Sequence, residues 1–273
     1  MSGAPAKLVT IEREGRIAIV RFDRGDKANA LSAEALRQLT ETARSFHARP
    51  DISAVILTGN ARNFSLGADL KDPARTEQRG QGLSQRRLSL RAGPEACEAW
   101  EKIDALTIMA IEGWCVGGGA ALAVACDLRV MGRSAKIYVP EVARGMNMSW
   151  GSIPRMLALM GPARTKQAVI LASDRIGSAD ALAWGLVENV VDASIDQSVF
   201  RLKLVVGIET AIAIAGRAGV IRVAHTINDA TGTPSWPCAA PARYVTPETF
   251  STNAGPALRR IGPVEIGRAS CRE

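Results

Sequence analysis

Residues 111–127 read IEGWCVGGGAALAVACD, from Ile111 to Asp127, and this stretch decides the fold. An apolar strand over Thr107 to Glu112 leads into Gly117-Gly118-Gly119, and the small apolar residues Ala120 to Cys126 follow. A strand that turns through glycines into a helix is an α/β junction. Glycines let backbone approach a ligand, and the first turn of a helix offers N–H groups with no partner inside the helix. The spacing is not G-x-G-x-x-G, because Ala121 and Leu122 follow, and it is not a P-loop, because no Lys-Ser/Thr pair does. Taken alone, the triplet is better explained by tight helix–sheet packing.

Outward from this junction the chain alternates strand and helix. Leu8 to Glu12 and Arg16 to Phe22, split by Glu14-Gly15, read as a hairpin. Ser32 is a candidate N-cap for a helix carrying Glu34 in its first turn and Leu36, Leu39 and Ala43 on its apolar face. Ala54 to Thr58 is a buried strand, and Ala61 to Asp72 a polar loop. Leu83 to Ile103 reads as a helix interrupted at Gly93-Pro94. Leu128 to Met131 is a strand, and Ile153 to Met160, Ala163 to Ala172 and Ser178 to Trp184 are helices. Leu186 to Val191 closes this part, and Ile195 to about Ala230 is helical again.

The chain has 273 residues, of which 47% are apolar, enough for a real core and too many for general disorder. No apolar run reaches the roughly 18 residues of a membrane span, and the N-terminal stretch lacks a secretory h-region. A cytoplasmic protein with no membrane partner is expected. Cys97, Cys115, Cys126, Cys238 and Cys271 are widely spaced and read as reduced thiols. His47 and His225 are the only histidines, which argues against a histidine-based metal site or a Ser-His triad. The net charge of +7 admits nucleic acid, a membrane surface or an anionic substrate.

Composition divides the chain near residue 233. Pro234, Pro237, Pro241, Pro247, Pro256 and Pro263 crowd a stretch without apolar periodicity, as an out-of-frame or disordered tail over 234–264 would. Glu265 to Glu273, EIGRASCRE, resembles one reading frame of a sequencing-library adaptor. Residues 1–192 are expected to form the core and 193–233 an incomplete helical segment. The arginines of the tail carry part of the positive charge, so the excess elsewhere is mild, and nucleic acid is not the expected partner.

A second loop changes the weight of the glycine triplet. Asn63-Phe64-Ser65-Leu66-Gly67-Ala68-Asp69-Leu70 also follows a buried strand and is rich in small residues. Two such loops can present two backbone N–H donors to one oxygen, which is the requirement of an oxyanion hole.

Together these segments resemble the enoyl-CoA hydratase/isomerase, or crotonase, family. Arg24 to Leu31 (RGDKANAL) is similar to its CoA-binding loop, Phe64 to Asp69 to its first oxyanion segment, and Ile111 to Asp127 to its second. Pro140-Glu141 with Gly145 is similar to its acidic segment, and Asp174-Arg175-Ile176 through Trp184-Gly185-Leu186-Val187 to its closing signature. The resemblance covers roughly residues 8–230. It implies an α/β fold, a spiral of repeated ββα units with a C-terminal helical segment, and a homotrimer or hexamer where that segment is intact. It implies an acyl-CoA thioester as partner and no other cofactor, coenzyme A arriving with the substrate.

Residue by residue, the resemblance puts oxyanion donors at Ala68 and Gly118. It puts substrate contacts at Lys27, Ala28, Ala30, Gly67, Asp69, Leu70, Gly117, Ala121, Ser149 and Trp150. Hydratases of the family use two glutamates. Here Ala121 stands at the first position and Glu141 at the second. Family isomerases need only the glutamate at the second position, which takes a proton from C2 and returns it at C4. Single-glutamate double-bond isomerisation is therefore favoured. The alternatives are hydration through Glu141 with a water held by Ser149, or a binder of acyl-CoA or RNA without catalysis.

Each residue also has a plainer reading. Glu141 suits a helix start, Ser149 an N-cap, Trp150, Met146 and Met148 core filling, and Asp69 and Asp127 turns or caps. Arg24 and Lys27 suit the phosphates of CoA. Arg86, Arg87 and Arg91 suit a solvated helix face.

Overall fold

The computed structural model describes residues 6–172 and 175–192. The expected segments 193–233, 234–264 and 265–273 lie outside the described residues, as does Asp174.

Strands β1 (Val9–Glu14) and β2 (Ile17–Phe22) form the hairpin, with Val9 opposite Phe22 and Glu14 opposite Ile17. Helix α1 (Ala33–Arg44) follows, and Ser32 caps it by accepting from the Ala35 N–H at 3.2 Å. Its residues Leu36, Leu39 and Ala43 are buried, as their spacing requires. Strand β3 (Ala54–Thr58) leads to three short helices, α2 (Pro73–Arg79), α3 (Leu83–Ser89) and α4 (Ala92–Glu101). Strands β4 (Leu106–Ile111) and β5 (Trp114–Val116) precede α5 (Gly118–Ala123). Strands β6 (Leu128–Gly132) and β7 (Lys136–Tyr138) precede a 3₁₀ turn at Val142–Arg144 and α6 (Ser152–Lys166). A π-helical turn (Gln167–Leu171), β8 (Ile176–Gly177), α7 (Ser178–Ala183) and β9 (Asn189–Val191) end the described chain.

Six strands make one sheet in the order β1-β2-β3-β4-β6-β9, parallel from β2 onward. Its parallel strands are apolar on both faces, as buried parallel strands are. Val20, Val55, Leu57, Met109 and Met131 share one core with Leu39, Trp100, Leu122 and Met156, which lie on α1, α4, α5 and α6. Ile17, Ile19, Ile56, Ile108 and Val130 form a second cluster of their own. A smaller sheet holds β5-β7-β8. The chain thus sends one strand to the large sheet, one short strand to the small sheet, and returns through a helix, twice over in β4-β5-α5 and β6-β7-α6. These are the expected ββα units, and the crotonase fold is present.

Two local expectations need correction. The break in 83–103 falls at Leu90 and Arg91, between α3 and α4, and not at Gly93-Pro94. Pro94 sits in the first turn of α4, where its missing N–H would have had no helical partner, so it costs nothing there. Helix α2 was not foreseen, because it has no apolar stripe to reveal it. The expected break between Met160 and Ala163 is real: Gly161 (φ 71°, ψ 173°) and Pro162 kink α6 there.

Candidate active site

The repeat of the fold assembles the site. Ser65, which follows β3, bridges Cys115 of β5, and Cys115 lies opposite Ile137 of β7, all in parallel register. Three residues beyond each stand Ala68, Gly118 and Pro140, with Glu141 next. Loops far apart in sequence therefore end side by side at one edge of the small sheet.

The two loops offer free donors for definite reasons. The Leu31 N–H donates to the Gly67 carbonyl (2.8 Å), and the Asp69 N–H donates to the Leu31 carbonyl (3.0 Å). In a parallel bridge of this kind Ala68, the residue between, turns its own N–H to the other side. Gly118 is the first residue of α5, so its N–H has no partner within the helix. The loops are in contact: a Cβ placed on Gly67 would lie 2.8 Å from the Val116 carbonyl oxygen and 3.6 Å from the Gly118 nitrogen.

Glu141 faces the same place. Gly117 adopts φ 52° and ψ −110°, a conformation open to glycine, and a Cβ there would lie 2.5 Å from Glu141 Oε1. Glu141 stands at the N-cap of the 3₁₀ turn, as its helix-start reading has it, but makes no side-chain capping bond there. Its Oε2 is buried without a hydrogen-bond partner. Burial pushes this carboxyl above the ordinary carboxylate range, against the lowering effects of its own backbone N–H and the Arg144 charge. A half-buried carboxyl with one oxygen unpartnered and a raised pKa is suited to proton transfer.

A cavity of about 600 Å³ opens over these groups. Of the expected site residues it is lined by Ala68, Asp69, Leu70, Gly118, Ala121, Glu141, Ser149 and Trp150, with Met146 and Met148 beside them. Ala121 is buried and brings only a methyl group to the cavity. Leu90, Pro94, Asp72 and Arg75 also line it. Sequence reading missed these four because α2, α3 and α4 reach the cavity only through tertiary packing.

Lys27, Ala28, Ala30, Gly67 and Gly117 are not among the residues that line this cavity. They frame the site instead. The Lys27 carbonyl accepts from Asn63 Nδ2 (2.6 Å), the Ala28 carbonyl from the Leu66 N–H (2.9 Å), and the Ala30 carbonyl from Arg24 Nη1 (3.0 Å). Arg24 also pairs with Asp69 at 2.7 Å and with Asp26 at 3.4 Å, which ties the two loops together. Burial pushes the Asp69 carboxyl up, but the Arg24 hydrogen bond and the Lys71 N–H outweigh it, and the net direction is down. Asp69 is thus a loop tie, as its plainer reading held. Asp127 is likewise structural, accepting from the Thr107 N–H and hydroxyl at 2.9 and 2.8 Å. Asn29 went unnoticed as a clamp: it is buried at φ 44°, and its Nδ2 donates to the carbonyls of Phe22 and Phe64.

Ser149 does not cap α6 through its side chain. Gly151 occupies the N-cap, and the Ser149 carbonyl accepts from the Ser152 hydroxyl at 2.8 Å. Trp150 takes a left-handed backbone (φ 53°), which costs a bulky residue about 1–3 kcal/mol. Among the described residues no cluster of His, Cys, Asp and Glu is arranged to hold a metal ion, and no helix is long and apolar enough to cross a membrane. Cys97, Cys115 and Cys126 are buried free thiols, and burial pushes Cys97 up to about 12.

The enoyl-CoA hydratase/isomerase family profile matches residues 12–205. The chain belongs to this family. Among the relatives of this enoyl-CoA hydratase/isomerase family member, the short-chain-enoyl-CoA hydratase of Clostridium acetobutylicum is 30% identical over 190 residues, covering 68% of this chain and 69% of that protein. The crotonyl-CoA hydratase of Syntrophomonas wolfei is 31% identical over 187 residues, covering 67% and 68%. The crystal structure of an enoyl-CoA hydratase from Bacillus anthracis superposes with a TM-score of 0.64 at 28% identity, covering 77% of this chain and 76% of that one. Membership makes an acyl-CoA-transforming enzyme the supported activity.

Proposed function

We propose that this chain moves a proton next to an acyl-CoA thioester with Glu141 as its single acid–base residue, and that the reaction is double-bond isomerisation. In this reading the thioester oxygen accepts from the N–H groups of Ala68 and Gly118. Removing the proton at C2 leaves negative charge on that oxygen, where two fixed donors stabilise it. The same carboxyl, now protonated, delivers the proton at C4, and the double bond has moved from C3–C4 to C2–C3. No separate cofactor takes part.

One observation carries the proposal. Glu141 lines the cavity with one carboxyl oxygen, Oε2, buried and unpartnered, while the other candidate acid position, Ala121, bears only a methyl group. A single base is enough for a proton shuttle, whereas splitting water across a double bond in this family uses two. The test is turnover of a 3-enoyl-CoA by Glu141→Gln, expected to fall about 10²- to 10⁴-fold. Undiminished turnover ends the role of Glu141.

Hydration is the second reading, favoured by the names of the relatives and by the Ser149 lining beside Glu141. Restoring the carboxylate by Ala121→Glu is expected to raise hydration of a 2-enoyl-CoA over the parent. A parent that already hydrates faster than it isomerises, with no gain from the substitution, decides for hydration by Glu141 without a second acid.

A further inference from the structure

We propose that Trp150 is a size gate that restricts the acyl half of the cavity to short, unbranched acyl groups. The inference rests on the acyl-CoA reading above and adds the substrate class.

The indole is held between two glycines on two helices. A Cβ on Gly118, at the start of α5, would lie 2.6 Å from Cη2 and Cζ3 of the ring. A Cβ on Gly93, in the first turn of α4, would lie 2.0 to 2.4 Å from Cε2, Nε1 and Cζ2. No side chain fits at either position with the ring in place. The ring therefore fills a cleft whose two walls carry no side chains, and Gly93, Gly118 and Trp150 all line the cavity.

The backbone fixes the ring in that cleft. Trp150 and Gly151 are both left-handed, at φ 53° and 66°. Arg155 Nη1 donates to the Trp150 carbonyl at 3.0 Å. Arg155 in turn donates to both oxygens of Glu101, at 3.1 and 2.7 Å. Glu101 ends α4, the helix that carries Gly93, so one helix anchors both the face of the ring and the turn that presents it. Arg155 and Glu101 are positioning residues acting through Trp150.

Position relative to Gly118 sets the consequence. With the thioester oxygen on the Gly118 N–H, the carbons that follow the carbonyl run beside the ring edge. A long or branched chain needs the Gly93–Gly118 cleft, and the indole occupies it. Replacing the ring by a methyl group opens that cleft to the chain.

The experiment measures binding of unreactive saturated thioesters to the full chain by calorimetry. Free CoA, butyryl-CoA and octanoyl-CoA are compared on the parent, Trp150→Ala and Trp150→Phe. The parent is expected to bind butyryl-CoA about tenfold or more tighter than octanoyl-CoA, and Trp150→Ala to reverse that order. Trp150→Phe, which keeps a smaller ring, is expected to shift the ratio the same way by less, and it decides alone if Trp150→Ala does not fold. An unchanged ratio in a folded variant overturns the gate while leaving the acyl-CoA reading intact. A parent that binds neither thioester better than free CoA overturns the acyl-CoA reading, and the gate with it.

Discussion

Glu141 is a carboxyl that the protein leaves short of partners. Its Oε2 has neither water contact nor a donor, so the ionised form is disfavoured and the pKa rises. A glutamate whose folded-state pKa is raised favours its protonated form. It therefore contributes most to stability at low pH and loses that contribution as pH rises through the folded value. Activity follows the opposite sign, because the base must be ionised to take a proton. The pH profile of kcat/KM on a 3-enoyl-CoA is expected to rise with pH along a limb above the ordinary carboxylate value, and Glu141→Gln is expected to remove that limb. This residue was legible in the sequence only through its motif. Its carboxyl lies against Gly117, a contact between the ends of β5 and β7 that no local pattern shows.

Helix α1 shows what a local pattern does reveal. Ser32 satisfies an N–H that the helix leaves orphaned, and the apolar residues three and four apart meet the sheet. Ser32→Ala is expected to cost about 1 kcal/mol of stability, read as a lowered urea midpoint with an unchanged slope. The helices over the cavity were less legible. Helix α3 buries no residue, and its Leu83 and Leu88 are exposed, so its periodicity carries little signal. The start of α4 hides behind Pro94, which reads as a breaker and serves as a first-turn residue. The short strands β5 and β7 fell below the length at which alternation is visible, yet their pairing brings Gly118 beside Glu141, and the Ser65–Cys115 bridge brings Ala68 beside Gly118.

At the scale of the whole molecule, the last described strand is held by a buried ion pair. Arg129, at the start of β6, is 1% exposed, pairs with Glu188 just before β9, and also donates to the carbonyls of Leu186 (2.9 Å) and Cys126 (2.8 Å). Removing one partner leaves a buried charge alone. Glu188→Ala is therefore expected to lose about 3–5 kcal/mol, measured by chemical denaturation, and far more than loss of the exposed Arg49–Asp51 pair would cost. The pattern of residues by itself determined the α/β class, the hairpin, the capped first helix and the glycine junction at 117–119. Each depends on neighbours within a few residues along the chain, where spacing and side-chain type carry the physics. Tertiary structure alone decided which atoms meet. It paired Arg24 with Asp69, tied the carbonyls of Lys27 and Ala28 to Asn63 and Leu66, and laid the Trp150 ring between Gly93 and Gly118. Those outcomes depend on parallel strand register and helix packing between segments 30 to 60 residues apart, and a one-dimensional pattern does not encode that register.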